Sequence, residues 1–382
     1  MNRLKSGIIG LGFIGPSHME ALRRTGLSDI VAIADINLPL AAQIAERYHV
    51  PKVYDDYRKL LADPEIDIVH ICAPNYLHFE IAKAALESGK HVICEKPLVS
   101  KIEEANELVK LAKEKEKVAV VSFNLRYYPL VQQARKMIQS GKLGSIYAFH
   151  GTYLQDWLLL ETDYSWRLDP KISGPSRAFG DIGSHWIDMA EYVTGKRVKS
   201  VCADKATFLP HRKKPRGTVL TFQQATDIEY DDIKVETEDY MSLLFRFEDG
   251  ARGSLIVSQV SAGKKNSLSF EADGSKQALS WNSEEPNSLW IGHREKPNEV
   301  LIKDPDLLDP EVRGYASFPG GHAEGFPDTS KQLFLQVYDY ILRGGPESGE
   351  LPSFPTFEDG AREVRICDAV LKSCDELAWV EV

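Results

Sequence analysis

The chain has 382 residues, of which 43% are hydrophobic and 27% charged, and it carries a formal net charge of −10. This length predicts two domains, and the composition is typical of a globular enzyme. The acidic balance argues against a nucleic-acid-binding protein, which usually carries a basic patch. No apolar run reaches the roughly 18 residues of a membrane span. Neither a nucleic acid nor a membrane is therefore an expected partner.

The five cysteines are scattered along the chain, and no two of them form a C-x-x-C pair. This spacing predicts neither a disulfide framework nor a zinc site, so no metal is expected. Free thiols suit a reducing compartment, and the expected location is the cytoplasm. The short basic stretch 211–216 is followed by acidic residues and is predicted to be a solvated loop.

A glycine-rich turn follows the first predicted strand. Gly10, Gly12 and Gly15 form the pattern G-x-G-x-x-G between an apolar run and a helix-like stretch, a context that predicts a dinucleotide-binding turn. The first glycine makes the turn, the second lets the backbone approach a pyrophosphate, and the third lets helix and strand pack closely. The helix N-terminus then offers N–H groups to the phosphates. The expected cofactor contacts in this segment are Gly10, Gly12, Phe13, Ile14 and Gly15.

A second predicted strand ends in Asp35, close to the offset of about 20 residues expected of a ribose-binding acid. A carboxylate there accepts hydrogen bonds from the ribose 2′-hydroxyl and repels a 2′-phosphate. The next two residues, Ile36 and Asn37, supply no arginine for that phosphate. The expected cofactor is therefore NAD, with NADP less favoured.

Strands alternate with helices up to about residue 125, which predicts a doubly wound parallel sheet of the Rossmann type. From residue 126 to 382 the runs are longer and of strand type, with Asp-Gly turns, and they predict an α+β domain with a large, mostly antiparallel open sheet. A helix is predicted over Ser184–Thr194, ending at Gly195. The expected domains are 1–125 for the cofactor and 126–382 for substrate and oligomerisation, with a C-terminal helix able to pack back on the first domain.

Four sequence motifs follow one another along the chain. They are the glycine turn, Ala73-Pro74-Asn75 with His78, the stretch 89–97 that ends in Glu95-Lys96-Pro97, and Asp181-Ile182-Gly183-Ser184-His185. Together they closely resemble the glucose–fructose oxidoreductase / inositol dehydrogenase (Gfo/Idh/MocA) family, over nearly the whole chain.

The resemblance implies an NAD(P)-dependent dehydrogenase or reductase that acts on the CH–OH groups of a sugar, sugar derivative or cyclitol. Resembling proteins commonly pair through their sheets, which implies a homodimer or homotetramer. Further cofactor contacts are expected from residues that follow the ends of two strands: Ala73, Pro74, Asn75, His78, Glu95 and Lys96.

Oxidation of an alcohol requires a base for the hydroxyl proton and a positive neighbour for the developing alkoxide. Asp181 and His185 lie four residues apart at a helix start and can share one face. We assign His185 as the base, Asp181 as its orienting partner and Lys96 as the group that polarises the substrate oxygen. The sequence leaves open how Lys96 and His185 share the proton.

A hydroxyl-rich substrate is expected to meet aromatic surfaces and charged donors, and the stretch before Asp181 offers both. The expected substrate contacts are Lys96, Tyr153, Trp157, Arg167, Asp181, His185 and His322. Two other readings compete with a simple dehydrogenase. One is a non-catalytic NAD-binding sensor or regulator, and the other is a redox-neutral epimerase or eliminase that oxidises its sugar transiently.

Overall fold

The computed structural model describes residues 3–216 and 229–382. These residues form two compact units. The first unit comprises Met1–Asn124, Lys171–Gly174 and Ser330–Val364, and the second comprises Leu125–Pro170, Pro175–Thr329 and Arg365–Val382. No helix in the described ranges combines the length and the apolar character that crossing a bilayer requires.

The amino-terminal part of the first unit alternates strands and helices as the sequence predicts. Its elements are β1 (Leu4–Ile9), α1 (Ile14–Thr25), β2 (Ser28–Ala34), α2 (Leu38–Arg47), β3 (Lys52–Tyr54), α3 (Tyr57–Leu61), β4 (Ile68–Ile71), α4 (His78–Glu87), β5 (His91–Cys94), α5 (Ile102–Glu114) and β6 (Ala119–Val121). The six strands are parallel and lie in the order β3-β2-β1-β4-β5-β6. This order confirms the predicted Rossmann sheet and places its topological switch point between β1 and β4.

The strands of this sheet are apolar because helices cover both faces. All four residues of β4 are buried, although one of them is His70. Glycines lie at the ends of two of the helices. Gly26 follows α1 and Gly89 lies just beyond α4, each with a positive φ that favours glycine.

The remaining elements follow in chain order. They are α6 (Pro129–Gln139), β7 (Ile146–Leu154), α7 (Pro170–Ser173), α8 (Ser184–Thr194), β8 (Val198–Ala206), β9 (His211–Pro215), β10 (Tyr230–Lys234), β11 (Tyr240–Phe247), β12 (Arg252–Ser258), β13 (Ser267–Gly274), β14 (Ala278–Asn282), β15 (Ser288–Gly292), β16 (Glu299–Ile302), α9 (Phe326–Leu342), α10 (Phe357–Glu376) and β17 (Val380–Glu381). A nine-stranded sheet runs in the order β16-β15-β14-β13-β7-β12-β11-β8-β17. Every pairing in it is antiparallel except that of β7 with β12, which confirms the predicted α+β domain.

Helix α8 packs on the inner face of this sheet. It spans the predicted residues and ends at Gly195, whose φ is 68°. Trp186 is fully buried, lies near the ring of Phe149 and donates from Nε1 to Ser269 O at 2.8 Å. Trp186, the residue next to His185, therefore fixes α8 against the sheet.

The prediction for the basic stretch 211–216 is wrong. The sequence predicts a solvated loop, but most of the stretch forms β9, which pairs with β10. Arg212 is only 1% exposed, and its Nη2 donates to the buried Asp239 Oδ1 at 2.8 Å. The partner carboxylate is distant in sequence, so the local pattern gave no sign that this charge would be compensated.

Candidate active site

The glycine turn joins β1 to α1. Gly10 has a φ of +91°, and a Cβ there would lie 2.6 Å from the backbone of Cys72. A Cβ at Gly15 would lie 2.2 Å from Gly10 O, so the helix start packs directly on the turn. A Cβ at Gly12 would meet no described protein atom within 4 Å. The turn thus leaves open the side on which a pyrophosphate would approach the backbone.

Helix α1 presents its N-terminus at this turn. Its N-cap is Phe13, whose side chain has no acceptor, and its first turn (Ile14 to Ser17) contains no acidic residue. The Phe13 side chain is 62% exposed. These features leave the positive end of the helix suited to an anion.

Asp35 lies at the end of β2, beside the glycine turn. Its Oδ2 accepts from Leu11 N at 2.7 Å, and its Oδ1 accepts from Asn37 N at 2.8 Å. Each carboxylate oxygen can accept more than one hydrogen bond, so the half-buried group keeps capacity for a ribose hydroxyl. These residues therefore fit NAD: the turn would hold its pyrophosphate, and Asp35 would accept a hydrogen bond from its adenosine ribose.

Residues 73–75 follow β4 on the other side of the switch point. Asn75 Nδ2 donates to Ser173 O at 3.0 Å. His78 is fully buried, with Nδ1 2.8 Å from Pro97 O and Nε2 2.9 Å from Ala73 O. Burial lowers the pKa of His78, so the neutral ring donates to one of these carbonyls at a time. His78 lies between the loops that follow β4 and β5.

Glu95 and Lys96 follow β5. Glu95 Oε1 lies 2.9 Å from Nε2 of the buried His18, and its side chain is 15% exposed. Burial alone would raise the pKa of Glu95, but the hydrogen bond from His18 and the charge of Lys96 lower it to about 2. Glu95 is therefore an anion that neighbours Lys96. The sequence did not predict the contact with His18, because the two residues are 77 positions apart.

Asp181 lies in a π-helical turn, Phe179–Gly183, that leads directly into α8. Such turns are rare and are often found at functional sites. The start of the turn is held by Glu238 Oε1, which accepts from Ser176 Oγ at 2.7 Å and from Phe179 N at 3.0 Å. The sequence predicted the helix but not its π-helical beginning.

The Asp181 carboxylate is held from both sides. Its Oδ1 accepts from Arg167 Nε at 3.2 Å, and its Oδ2 accepts from Gln259 Nε2 at 3.0 Å. Gln259 is fully buried and follows β12, which runs parallel to β7. Sequence reasoning missed Gln259, because it lies 78 positions from Asp181 and its neighbours in sequence give no sign of the contact. His185 lies one turn later and is 9% exposed.

The predicted substrate residues before Asp181 are linked by hydrogen bonds. Tyr153 OH and Gln155 Nε2 both donate to Asn266 Oδ1 at 2.8 Å, and Trp157 Nε1 donates to Gln155 Oε1 at 2.7 Å. The Arg167 guanidinium lies 6.0 Å from the Trp157 ring centroid. The structure thus brings Tyr153, Trp157, Arg167 and Asp181 into one polar and aromatic cluster.

His322 lies in a separate, exposed loop. Its carbonyl accepts from Nζ of the buried Lys303 at 2.8 Å, and the same Nζ lies 2.9 Å from Glu324 Oε2. Lys303 and Glu324 therefore shape this loop from beneath. Lys96 belongs to the first unit, whereas Asp181, His185 and His322 belong to the second.

The chain matches two family models. Residues 4–123 match an oxidoreductase family with an NAD-binding Rossmann fold, and residues 131–280 match the GFO/IDH/MocA C-terminal domain. The matches confirm the predicted resemblance, the NAD-binding fold and the oxidoreductase function.

Similar proteins cover the whole chain. Levoglucosan dehydrogenase of Pseudarthrobacter phenanthrenivorans is 33% identical over 100% of this chain and 99% of its own length. A levoglucosan dehydrogenase structure in complex with NADH and L-sorbose has a TM-score of 0.89 at 33% identity, covering 100% of this chain and 99% of that one. An inositol dehydrogenase homolog complexed with NAD+ from Azotobacter vinelandii has a TM-score of 0.87 at 27% identity, covering 100% and 98%.

Proposed function

Because the chain belongs to the Gfo/Idh/MocA family of oxidoreductases, we propose that it is an NAD-dependent dehydrogenase of a sugar, sugar derivative or cyclitol. The observation that carries this proposal is the Asp181 carboxylate, fixed by Arg167 and Gln259 one turn before His185. In this proposal residues 1–125 bind the cofactor and residues 126–382 bind the substrate.

The proposed chemistry divides the transfer between a hydride and a proton. When bound, NAD supplies the acceptor for the hydride that leaves the CH–OH carbon. His185 takes the hydroxyl proton, and the fixed charge of Asp181 stabilises the imidazolium that forms. Lys96, kept cationic by its anionic neighbour Glu95, stabilises the developing alkoxide. Tyr153, Trp157, Arg167 and His322 are the proposed substrate contacts.

The cofactor is held by backbone and side-chain groups of the first unit. The proposed contacts are Gly10, Gly12, Phe13, Ile14, Gly15, Asp35, Ala73, Pro74, Asn75, Glu95 and Lys96. His78 is buried with its ring between two carbonyls, so we assign it the role of setting the positions of the loops that carry Asn75 and Lys96.

The test of the function is NAD reduction against a panel of pyranoses, anhydro sugars and inositols. Stoichiometric formation of free NADH with at least one of them is expected. Conversion of a sugar without accumulation of NADH would favour transient oxidation, as in an epimerase or eliminase. Tight NADH binding with no conversion of any compound would favour a sensor.

Preference for NAD over NADP is expected to depend on Asp35. Replacing Asp35 with Ser removes the charge that repels a 2′-phosphate, so the ratio of kcat/KM for NAD to that for NADP should fall by about tenfold, or about 1.4 kcal/mol. The measurement is steady-state kinetics with both cofactors. Because Asp35 also accepts from Leu11 N, some loss with NAD is expected as well. A wild-type kcat/KM for NADP that equalled or exceeded the value for NAD would contradict this assignment.

Self-association is expected through the outer face of the nine-stranded sheet, which gives a homodimer or homotetramer. An antiparallel sheet can leave one face uncovered by its own helices. Leu244 and Ile256 lie on this face and are 54% and 40% exposed. The double change Leu244→Asp with Ile256→Asp should yield monomers in sedimentation velocity experiments. Leu307→Asp, at a residue 62% exposed outside the sheet, is the control. A monomeric wild type at micromolar concentration would refute this prediction.

The proposed location is the cytoplasm. All five cysteines are free thiols, and three of them are buried. Proteins of oxidising compartments more often pair their cysteines.

A further inference from the structure

A continuous chain of buried polar side chains runs through the first unit and ends at Glu95. Its members come from α1, β1, β2, β4 and α9, and none of them is among the residues assigned above to cofactor or substrate. Starting from the far end, they are Ser28, Ser6, Tyr338, His70 and His18. Ser28 is 5% exposed and the other four are fully buried.

Every link in this chain has hydrogen-bond length. Ser28 Oγ lies 2.5 Å from Ser6 Oγ, which lies 2.7 Å from Tyr338 OH. Tyr338 OH lies 2.9 Å from His70 Nε2, and His70 Nδ1 lies 3.0 Å from His18 Nδ1. His18 Nε2 completes the chain at 2.9 Å from Glu95 Oε1.

The chemistry of the Glu95 end sets the direction of all these bonds. An ionised carboxylate can only accept, so His18 donates from Nε2. A neutral His18 then accepts at Nδ1, and His70 must donate to it from its own Nδ1. His70 accepts in turn at Nε2, which receives the Tyr338 hydroxyl proton. The two serine hydroxyls continue the same direction, so each O–H or N–H points toward Glu95.

The surroundings favour this protonation pattern. Burial keeps the pKa of His70 well below its usual value, so this ring is neutral. Burial raises the pKa of Tyr338, so the phenol keeps its proton and can donate. Burial also raises the pKa of the Cys72 thiol, whose Sγ lies 3.4 Å from His18 Nδ1. A neutral thiol there places no charge beside the nitrogen that must accept.

We propose that this chain is an oriented hydrogen-bond relay that holds Glu95 as a carboxylate and thereby keeps its neighbour Lys96 cationic for the reaction. The proposal rests on the function proposed above for Lys96. It makes His18, His70 and Tyr338 positioning residues, since they act through Glu95 and not on the substrate. Aligned hydrogen bonds polarise one another in a low-dielectric interior, so distant members strengthen the last bond.

Other titratable groups also interact with Glu95. Within the described ranges, those with an electrostatic effect on it or from it, besides His18, are Lys96, His78, Cys72 and Cys94. Burial raises the pKa of both thiols and lowers that of His78, so these three are neutral and Lys96 is the charged neighbour. Asp67 acts on the far end, at Tyr338.

The first test reads the proton positions directly. In side-chain ¹⁵N spectra of histidine-labelled protein, His18 should be the neutral Nε2–H tautomer and His70 the neutral Nδ1–H tautomer. His70 should not titrate between about pH 5.5 and 8.5, where an ordinary histidine changes charge. A cationic His18, or His70 protonated at Nε2, would overturn the proposal. This measurement needs no substrate, so it stands or fails separately from the proposed function.

The second test uses substitutions and the pH profile of kcat/KM. His70→Phe removes the donor to His18 but keeps an aromatic ring beside Phe334, 4.8 Å away between centroids. The weakened carboxylate should then support the Lys96 cation less well, so the loss of kcat/KM at high pH should move down by about one pH unit. The acidic limb reports on His185 and should stay where it is. His70→Asn places an amide N–H where Nδ1–H was, and should restore the wild-type profile.

The link between Tyr338 and His70 can be tested with a matched control, Tyr340, on the same helix α9. Tyr338→Phe removes the hydroxyl that donates to His70, and should move the basic limb in the same direction by less than His70→Phe does. Tyr340→Phe removes a buried hydroxyl that donates to Glu350 O at 2.8 Å, outside the relay, and should leave the profile unchanged. A purely structural role would lower the melting temperature in all these variants without moving the limb. Unchanged profiles in His70→Phe and Tyr338→Phe would refute the relay while leaving the dehydrogenase assignment intact.

Discussion

Replacing His185 with alanine is expected to lower turnover of the sugar or cyclitol by about two to four decades, the range typical of a lost general base. The residue acts mainly in the transition state and belongs neither to the glycine turn nor to the Asp35 contact. NADH affinity should therefore stay within about a few-fold of wild type. Lys96→Ala should cause a loss of similar size, with a somewhat larger effect on NADH. Asp181→Asn should be intermediate, because it keeps the shape but removes the charge.

The measurement pairs NADH fluorescence titration with steady-state oxidation for each variant. The wild-type rate of oxidation should rise with deprotonation of a group near neutrality, and His185→Ala should abolish or move that limb. His211→Ala, at an exposed histidine on β9, is the control. If His185→Ala retained a near wild-type rate and an unchanged pH profile, the base assignment would be wrong, and Lys96 would become the leading candidate for the base.

Replacing Asp239 with asparagine is expected to lower the free energy of unfolding by about 3–5 kcal/mol. Asp239 is fully buried between two fully buried guanidinium groups, those of Arg177 and Arg212. Burial raises its pKa, but the two arginines more than offset this and lower the pKa below the usual value, so the group is ionised. The asparagine would leave two buried cations without their counter-ion.

Urea unfolding, followed by circular dichroism, measures this loss. The matched control is Asp232→Asn, which breaks an exposed ion pair with Lys213 and should leave the free energy of unfolding almost unchanged. A similar small loss in both variants would show that the buried cluster contributes no more than a surface pair. Arg212 also donates to the carbonyls of Leu158 and Leu160, so Asp239→Asn should raise the KM for substrate by loosening the segment after Trp157.

The sequence by itself determined the Rossmann half, the oxidoreductase family and the helix that carries His185. These features depend on local properties: alternating strands and helices, glycines at a tight turn, and Gly195 at the end of α8. A glycine with positive φ, or a buried strand, depends on residue types within a few positions of one another. Such features can therefore be predicted from the sequence.

Only the tertiary structure decided which polar partners hold Asp181 and the buried charged side chains. Gln259 reaches Asp181 across 78 positions, Asp239 neutralises Arg212 across 27, and His18 meets Glu95 across 77. Each of these polar side chains is compatible with an exposed position when its neighbours alone are considered. Burial becomes tolerable only when a partner of the right charge or hydrogen-bonding type lies alongside it, and that partner is supplied by the packing of distant segments.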